Sequence, residues 1–165
     1  MNNFYIFLDI DGVMYDWTYI KSHTSKQSKL ITNFNPQSVF ALNYLINNLS
    51  KIFNVVLVIT STWRKDMQKC KNILLKNGVK LNNLSKLTCT NISQNQHLRG
   101  EEIVNYLKEN SINLNNNYVI IDDEMFDYLS HFSKTNIIHT NIFNNSLNIS
   151  QINEFLNNFN NLLEK

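Results

Sequence analysis

Three short apolar runs constrain this chain more than any other feature: Phe4-Tyr5-Ile6-Phe7-Leu8, Val55-Val56-Leu57-Val58-Ile59 and Tyr118-Val119-Ile120-Ile121. Each is too short for a helix, rich in strand formers and free of polar alternation, so each reads as a strand buried on both faces. Such strands belong to parallel sheets covered by helices on either side. The intervening stretches supply the helices. Asn35-Pro36 offers a cap and a proline at the first helical position, and Val39, Phe40, Leu42, Leu45, Ile46 and Leu49 follow at helical spacing, predicting a helix over 36–50. Met67, Cys70, Ile73 and Leu74 mark a second helix, closed by Gly78. Arg99-Gly100-Glu101-Glu102 opens a third, with acids in its first turn and Ile103, Val104 and Leu107 as the buried stripe. Ser150 is the expected cap of a closing helix that buries Ile152, Phe155, Leu156, Phe159 and Leu162. Further strands are expected near Leu87–Thr90 and Asn136–Thr140, and a brief helical segment over Met125–Leu129. Strands alternating with helices predict an α/β fold with a central parallel sheet of about five strands.

Every apolar run stops abruptly at polar groups. The first ends in Asp9-Ile10-Asp11-Gly12-Val13, the second in Thr60-Ser61-Thr62-Trp63-Arg64, the third in Asp122-Asp123-Glu124. Residues i and i+2 of an extended chain point to the same side, about 7 Å apart, so Asp9 and Asp11 should share one small space. Gly12 then allows a sharp backbone turn. Carboxylates that close raise each other's pKa unless a cation or a proton lies between them. In an open parallel sheet the ligand site lies beyond the carboxyl ends of the strands. One composite site is therefore expected from Asp9, Asp11, Thr60, Ser61, Asp122 and Asp123, with Mg²⁺ held by carboxylates and a substrate phosphate oxygen.

The length of 165 residues suits one domain, expected over 1–165, with 14–35 as a flap or short insertion in an otherwise unbroken chain. A net charge of +2 is too mild to dictate a nucleic-acid partner. No apolar run approaches the roughly 20 residues of a membrane span. Cys70 and Cys89 lack metal or redox spacing, and no leader precedes them, so a reduced cytoplasmic setting is expected. His23, His97, His131 and His139 likewise show no ligand spacing. Asparagine is abundant, but it is interleaved with Ile, Leu and Phe at regular periods and reads as surface composition. Trp63 reads either as packing at a helix entrance or as a stacking platform. Tyr15, Trp17 and Tyr19 read either as a stacking surface or as packing of the flap, and Lys21–Lys29 as loop charge or as contacts to a nucleic-acid backbone.

In order, these stretches resemble the four motifs of the haloacid dehalogenase (HAD) superfamily of phosphohydrolases: Asp9-Ile10-Asp11-Gly12-Val13, Thr60, a basic residue at Arg99, and Asp122-Asp123. Phe-Leu-Asp-Ile-Asp-Gly-Val, Thr-Ser-Thr-Trp-Arg, Arg-Gly-Glu-Glu-Ile and Val-Ile-Ile-Asp-Asp-Glu together resemble, over about residues 4–147, the HAD domain of "Swiss Army Knife" RNA repair proteins. The resemblance implies a three-layer Rossmann-like fold with a minimal cap or none, and a Mg²⁺-dependent phosphatase. It implies Asp9 as nucleophile and metal ligand, and Asp11 as proton carrier and carbonyl ligand. Thr60, Ser61 and Arg99 would hold phosphate, Asp122 would ligate the metal, and Asp123, Gly12 and Arg64 would support the site. Arg64 or Lys65 is the alternative to Arg99 in the third motif. The implied substrates are RNA or DNA ends. Small nucleotides are the alternative, as is a non-catalytic phosphate-binding module.

Overall fold

The computed structural model describes residues 1–23, 33–81, 85–92, 98–113 and 117–163. Five strands, β1 (Asn3–Leu8), β2 (Asn54–Ile59), β3 (Ser85–Cys89), β4 (Tyr118–Asp122) and β5 (Ile137–His139), form one sheet in the order β3-β2-β1-β4-β5. All four pairings are parallel. The architecture is the predicted α/β, Rossmann-like one. Among the described residues five helices accompany the sheet: α1 (Trp17–His23), α2 (Pro36–Leu49), α3 (Met67–Lys76), α4 (Arg99–Glu109) and α5 (Ile149–Leu163).

Alternate residues of the central strands enter two separate cores, which is why these strands carry no polar face. Phe4, Ile6, Leu8, Val55, Leu57, Ile59, Val119 and Ile121 pack with α2, α3 and α5 through Leu42, Leu45, Leu74, Ile152 and Phe155. Tyr5, Phe7, Val56, Val58, Tyr118 and Ile120 face Ile103 and Tyr106 of α4, with Tyr128. Three layers result.

The helix ends follow local chemistry. Asn35 caps α2, its side chain accepting from Gln37 N, with Pro36 next. Gly78 follows α3 at φ +85° with open space where a Cβ would stand. The cap of α5 is Asn148 rather than Ser150: Asn148 Oδ1 accepts from the Ser150 and Gln151 amides while Gln151 Oε1 accepts from Asn148 N, a reciprocal capping box that begins two residues earlier than predicted.

Other expectations need correction. Phe40 and Leu162 are exposed: Phe40 lies on the face of α2 opposite its apolar stripe and stacks on Tyr44, and Leu162 lies in the last turn of α5. On α4 the buried stripe contains Tyr106, and Val104 is half-buried. No helix forms over Met125–Leu129, because Phe126 adopts a left-handed φ of +40°, and only a 3₁₀ turn follows at Tyr128–Ser130. The 14–35 connection is braced at both ends, with Asn35 N donating to Met14 O at 2.8 Å, and contains α1. Its residues 24–32, and with them most of Lys21–Lys29, lie outside the described residues. So do residues 93–97, and with them His97.

Candidate active site

The register of the sheet brings the ends of three strands together. Leu8 is paired with Ile59 on one side and Ile121 on the other. Beyond that row Thr60 N donates to Leu8 O and Asp9 N to Ile121 O, placing Asp9, Thr60 and Asp122 side by side at the carboxyl edge. One carboxylate oxygen from each of Asp9, Asp122 and Asp123 lies within 4.8 Å of the other two. Asp9 and Asp122 are buried, and Asp123 is half-buried. A depression of about 550 Å³ lined by Asp123, Glu124, Met125, Phe126, Asp127 and His139 adjoins this cluster. A comparable one between β5 and α5, about 530 Å³, holds none of these carboxylates.

Arg99 closes the cluster on one side. Its Nη1 lies 3.0 Å from Asp9 Oδ1 and 3.9 Å from Asp122 Oδ2, and also donates to Thr60 O. The guanidinium lies under the Phe126 ring, 5.0 Å from its centroid. Asp127 receives the Gly100 and Glu101 amides at 2.6 and 3.0 Å, which anchors the start of α4 and thus the Arg99 backbone. Tyr128 donates to Asp122 Oδ2 at 2.7 Å.

Asp11 stands apart from that oxygen cluster. Its carboxylate receives the Tyr15 hydroxyl and, at 3.1 and 3.2 Å, the Trp63 indole N–H. Trp63 is thus neither mere packing nor a free stacking surface, and Tyr15 is buried inward. Gly12 turns the chain directly after Asp11 at φ +71°, where a Cβ would lie 2.4 Å from Asp123 Cγ. Only glycine lets Asp123 come this close.

The charges are mutually dependent. The Asp9 carboxyl is raised to about 7, chiefly by burial and further by Asp11 and Asp123, against the pull of Arg99. Asp122 is raised by burial and by Asp9, and Asp123 rises to about 6 through burial and Glu124. Burial alone would lower the Arg99 pKa, but Asp9 and Asp122 outweigh it and raise it. Buried carboxylates crowded in this way favour a multivalent cation, and an all-oxygen donor set suits Mg²⁺.

Thr60 Oγ1 and Ser61 Oγ are buried and have no hydrogen-bond partner among the described residues. The Thr60 carbonyl, by contrast, accepts from both Arg99 and Arg64. Arg64 faces away from the acids: its Nη2 pairs with Glu102 Oε2 at 2.6 Å, both side chains being buried, and its Nη1 braces the Thr60 and Ser61 carbonyls. Glu102 is therefore no surface acid serving the helix end. Among the basic candidates for the third motif, Arg99 is the one that touches Asp9, whereas Lys65 is exposed.

The HAD domain in Swiss Army Knife RNA repair proteins matches residues 5–147. The chain belongs to this family. No curated protein and no solved structure matches it significantly. Membership of this HAD family supports a phosphatase-type hydrolase in general, associated with RNA repair. The sheet order, the acidic cluster and Arg99 of this HAD domain all lie within the matched span. The site contacts of Tyr15, Trp63, Tyr128, Asp127 and Glu102 escaped the sequence reading. Each acts on a partner through the fold, and the only local signal was the four-residue spacing from Asp11 to Tyr15.

Proposed function

We propose that this HAD domain is a Mg²⁺-dependent phosphomonoesterase acting through an aspartyl phosphate on nucleic-acid ends. The observation that carries this reading is the buried cluster of Asp9, Asp122 and Asp123 with Arg99 set against Asp9. Asp9, Asp122 and the Asp11 carbonyl would hold the ion, with Asp123 orienting the shell. When bound, Mg²⁺ supplies the positive charge that lets an anionic nucleophile approach an anionic phosphoryl group.

Asp9 Oδ attacks phosphorus, and the bond from phosphorus to the ester oxygen breaks as Asp11 gives that oxygen its proton. Water then attacks the aspartyl phosphate and yields its proton to the Asp11 carboxylate. The bond between Asp9 and phosphorus breaks, and inorganic phosphate and free Asp9 are restored. The Tyr15 and Trp63 hydrogen bonds hold Asp11 in one orientation for both transfers. Arg99, Thr60 Oγ1 and Ser61 Oγ stabilise the phosphoryl oxygens as charge shifts; buried hydroxyls with no partner among the described residues, beginning at the residue whose carbonyl Arg99 holds, suit that task. Arg64 acts at one remove by fixing the Thr60 and Ser61 carbonyls.

The test is phosphate release from an aryl phosphate, with and without Mg²⁺, by the full chain and by Asp9→Asn. Mg²⁺-dependent release abolished by Asp9→Asn is expected; release that survives the substitution refutes the mechanism. A panel of 3′- and 5′-phosphorylated RNA and DNA, mononucleotides and sugar phosphates tests the substrate class, and preference for mononucleotides would refute the choice of nucleic-acid ends.

A further inference from the structure

Two large aromatic side chains are held out into solvent beside this site. Trp17 opens α1 and is 42% exposed; Phe143 follows β5 and is 69% exposed. Neither is left there by a slack loop. Asn141 and Asn145 exchange backbone hydrogen bonds of 2.9 and 3.0 Å, and Asn141 Oδ1 accepts from Phe143 N at 2.8 Å, so Phe143 sits at the tip of a braced turn. That turn is tied to α1, since Trp17 N donates to Ile142 O at 2.7 Å and Thr18 Oγ1 to Phe143 O at 3.0 Å. Beneath them the buried Asp16 carboxylate accepts from Tyr19 N, Ser146 N and Ser146 Oγ, and Leu147 N donates to Val13 O.

The result is a rigid platform built from two distant parts of the chain, and both parts touch the site. Tyr15, two residues before Trp17, donates to Asp11; Thr140, at the end of β5, donates its amide to Asp122 O. Exposed apolar surface that the fold takes trouble to hold in place marks contact with something else. Charge narrows what that is. Neither Trp17–His23 nor 141–147 contains an acid, while α1 carries exposed Lys21 and His23. Two exposed aromatic side chains with an exposed lysine, Lys21, on the same helix as Trp17, next to a phosphoryl pocket, fit bases attached to a polyanionic backbone.

We propose that Trp17 and Phe143 form a stacking platform for unpaired bases of a single-stranded nucleic-acid end whose terminal phosphate enters the Asp9 crevice. The inference rests on the phosphatase reading above and adds the strandedness of the substrate. Every base has a π-face, so the platform tolerates sequence, and Lys21 meets the backbone.

The decisive measurement is the binding of fluorescently labelled, 3′- or 5′-phosphorylated single strands, RNA and DNA, to the full chain by anisotropy. Trp17→Ala and Phe143→Ala should each weaken binding fivefold or more, as the loss of one stacked base does. Trp17→Phe and Phe143→Tyr should retain it, and a blunt duplex with the same terminal phosphate should be insensitive to all four changes. In turnover, KM for the single strand should rise with kcat unchanged, while KM for glycerol phosphate, which has no ring to stack, stays within twofold. Unchanged single-strand affinity in the alanine variants overturns the platform, as does an equal shift for glycerol phosphate. No hydrolysis of any ester by the unmodified chain would instead overturn the phosphatase reading, with the binding comparison still deciding the platform.

Discussion

Gly12 and Gly78 form a matched pair that separates the needs of the backbone from those of the site. Both have left-handed φ, +71° and +85°, but a Cβ at Gly78 meets nothing within 4 Å, whereas one at Gly12 meets Asp123 Cγ, Oδ2 and Cβ at 2.4, 2.5 and 2.7 Å. Gly78→Ala therefore bears only the left-handed penalty, about 1–2 kcal/mol. Gly12→Ala bears that and a steric term as well. Ordinary contact begins at 3.4 Å, so Asp123 Cγ must retreat by 3.4 minus 2.4, or 1.0 Å. Overpacking of this kind adds about 1–3 kcal/mol, for a total of about 2–5 kcal/mol. At about 2–4 °C per kcal/mol for a chain of this size, Gly78→Ala should lower Tm by about 2–8 °C and Gly12→Ala by clearly more.

The functional consequence should fall on one variant alone. Moving Asp123 opens the three-carboxylate cluster, and loss of a group that orients metal ligands typically costs about 10–100-fold in affinity. Thermal unfolding followed by circular dichroism, with and without a Mg²⁺ titration, reads both effects. Gly78→Ala should show the full Mg²⁺-dependent rise in Tm, and Gly12→Ala a rise displaced to higher Mg²⁺. Equal losses of Tm with identical Mg²⁺ titrations would refute the claim that Gly12 is required by Asp123 rather than by the turn.

Because the folded Asp9 pKa lies above its ordinary value, the folded chain holds protons that the unfolded chain has released, and metal-free stability should fall as pH rises from about 4 to about 7. Tm in chelator across that window should show the decline, Asp9→Asn should make it shallower, leaving the share of Asp122 and Asp123, and Mg²⁺ should offset it; a decline equally steep in Asp9→Asn would refute the assignment. Breaking the buried Arg64 and Glu102 pair, as in Arg64→Met or Glu102→Leu, should cost about 3–5 kcal/mol in urea unfolding, with the double variant less destabilised than the sum of the two. Additive losses would mean that the pair is not coupled.

The sequence by itself determined the layers and the edge at which chemistry collects. Unbroken apolar runs can be buried only on both faces, so a helix-covered parallel sheet follows, and the polar groups that end those runs must gather at its carboxyl edge. Asp9, Thr60, Asp122 and Asp123 were legible for that reason, since each immediately follows or ends a strand. Tertiary structure alone decided which way side chains turn after the strands stop, because no periodicity governs residues beyond a strand end. It turned Asp11 toward Tyr15 and Trp63 instead of into the Asp9 cluster, and it separated two similar arginines, Arg99 to the nucleophile and Arg64 to Glu102. It also joined Trp17 to a turn at Phe143 through contacts that span most of the chain, which no local pattern in the sequence encodes.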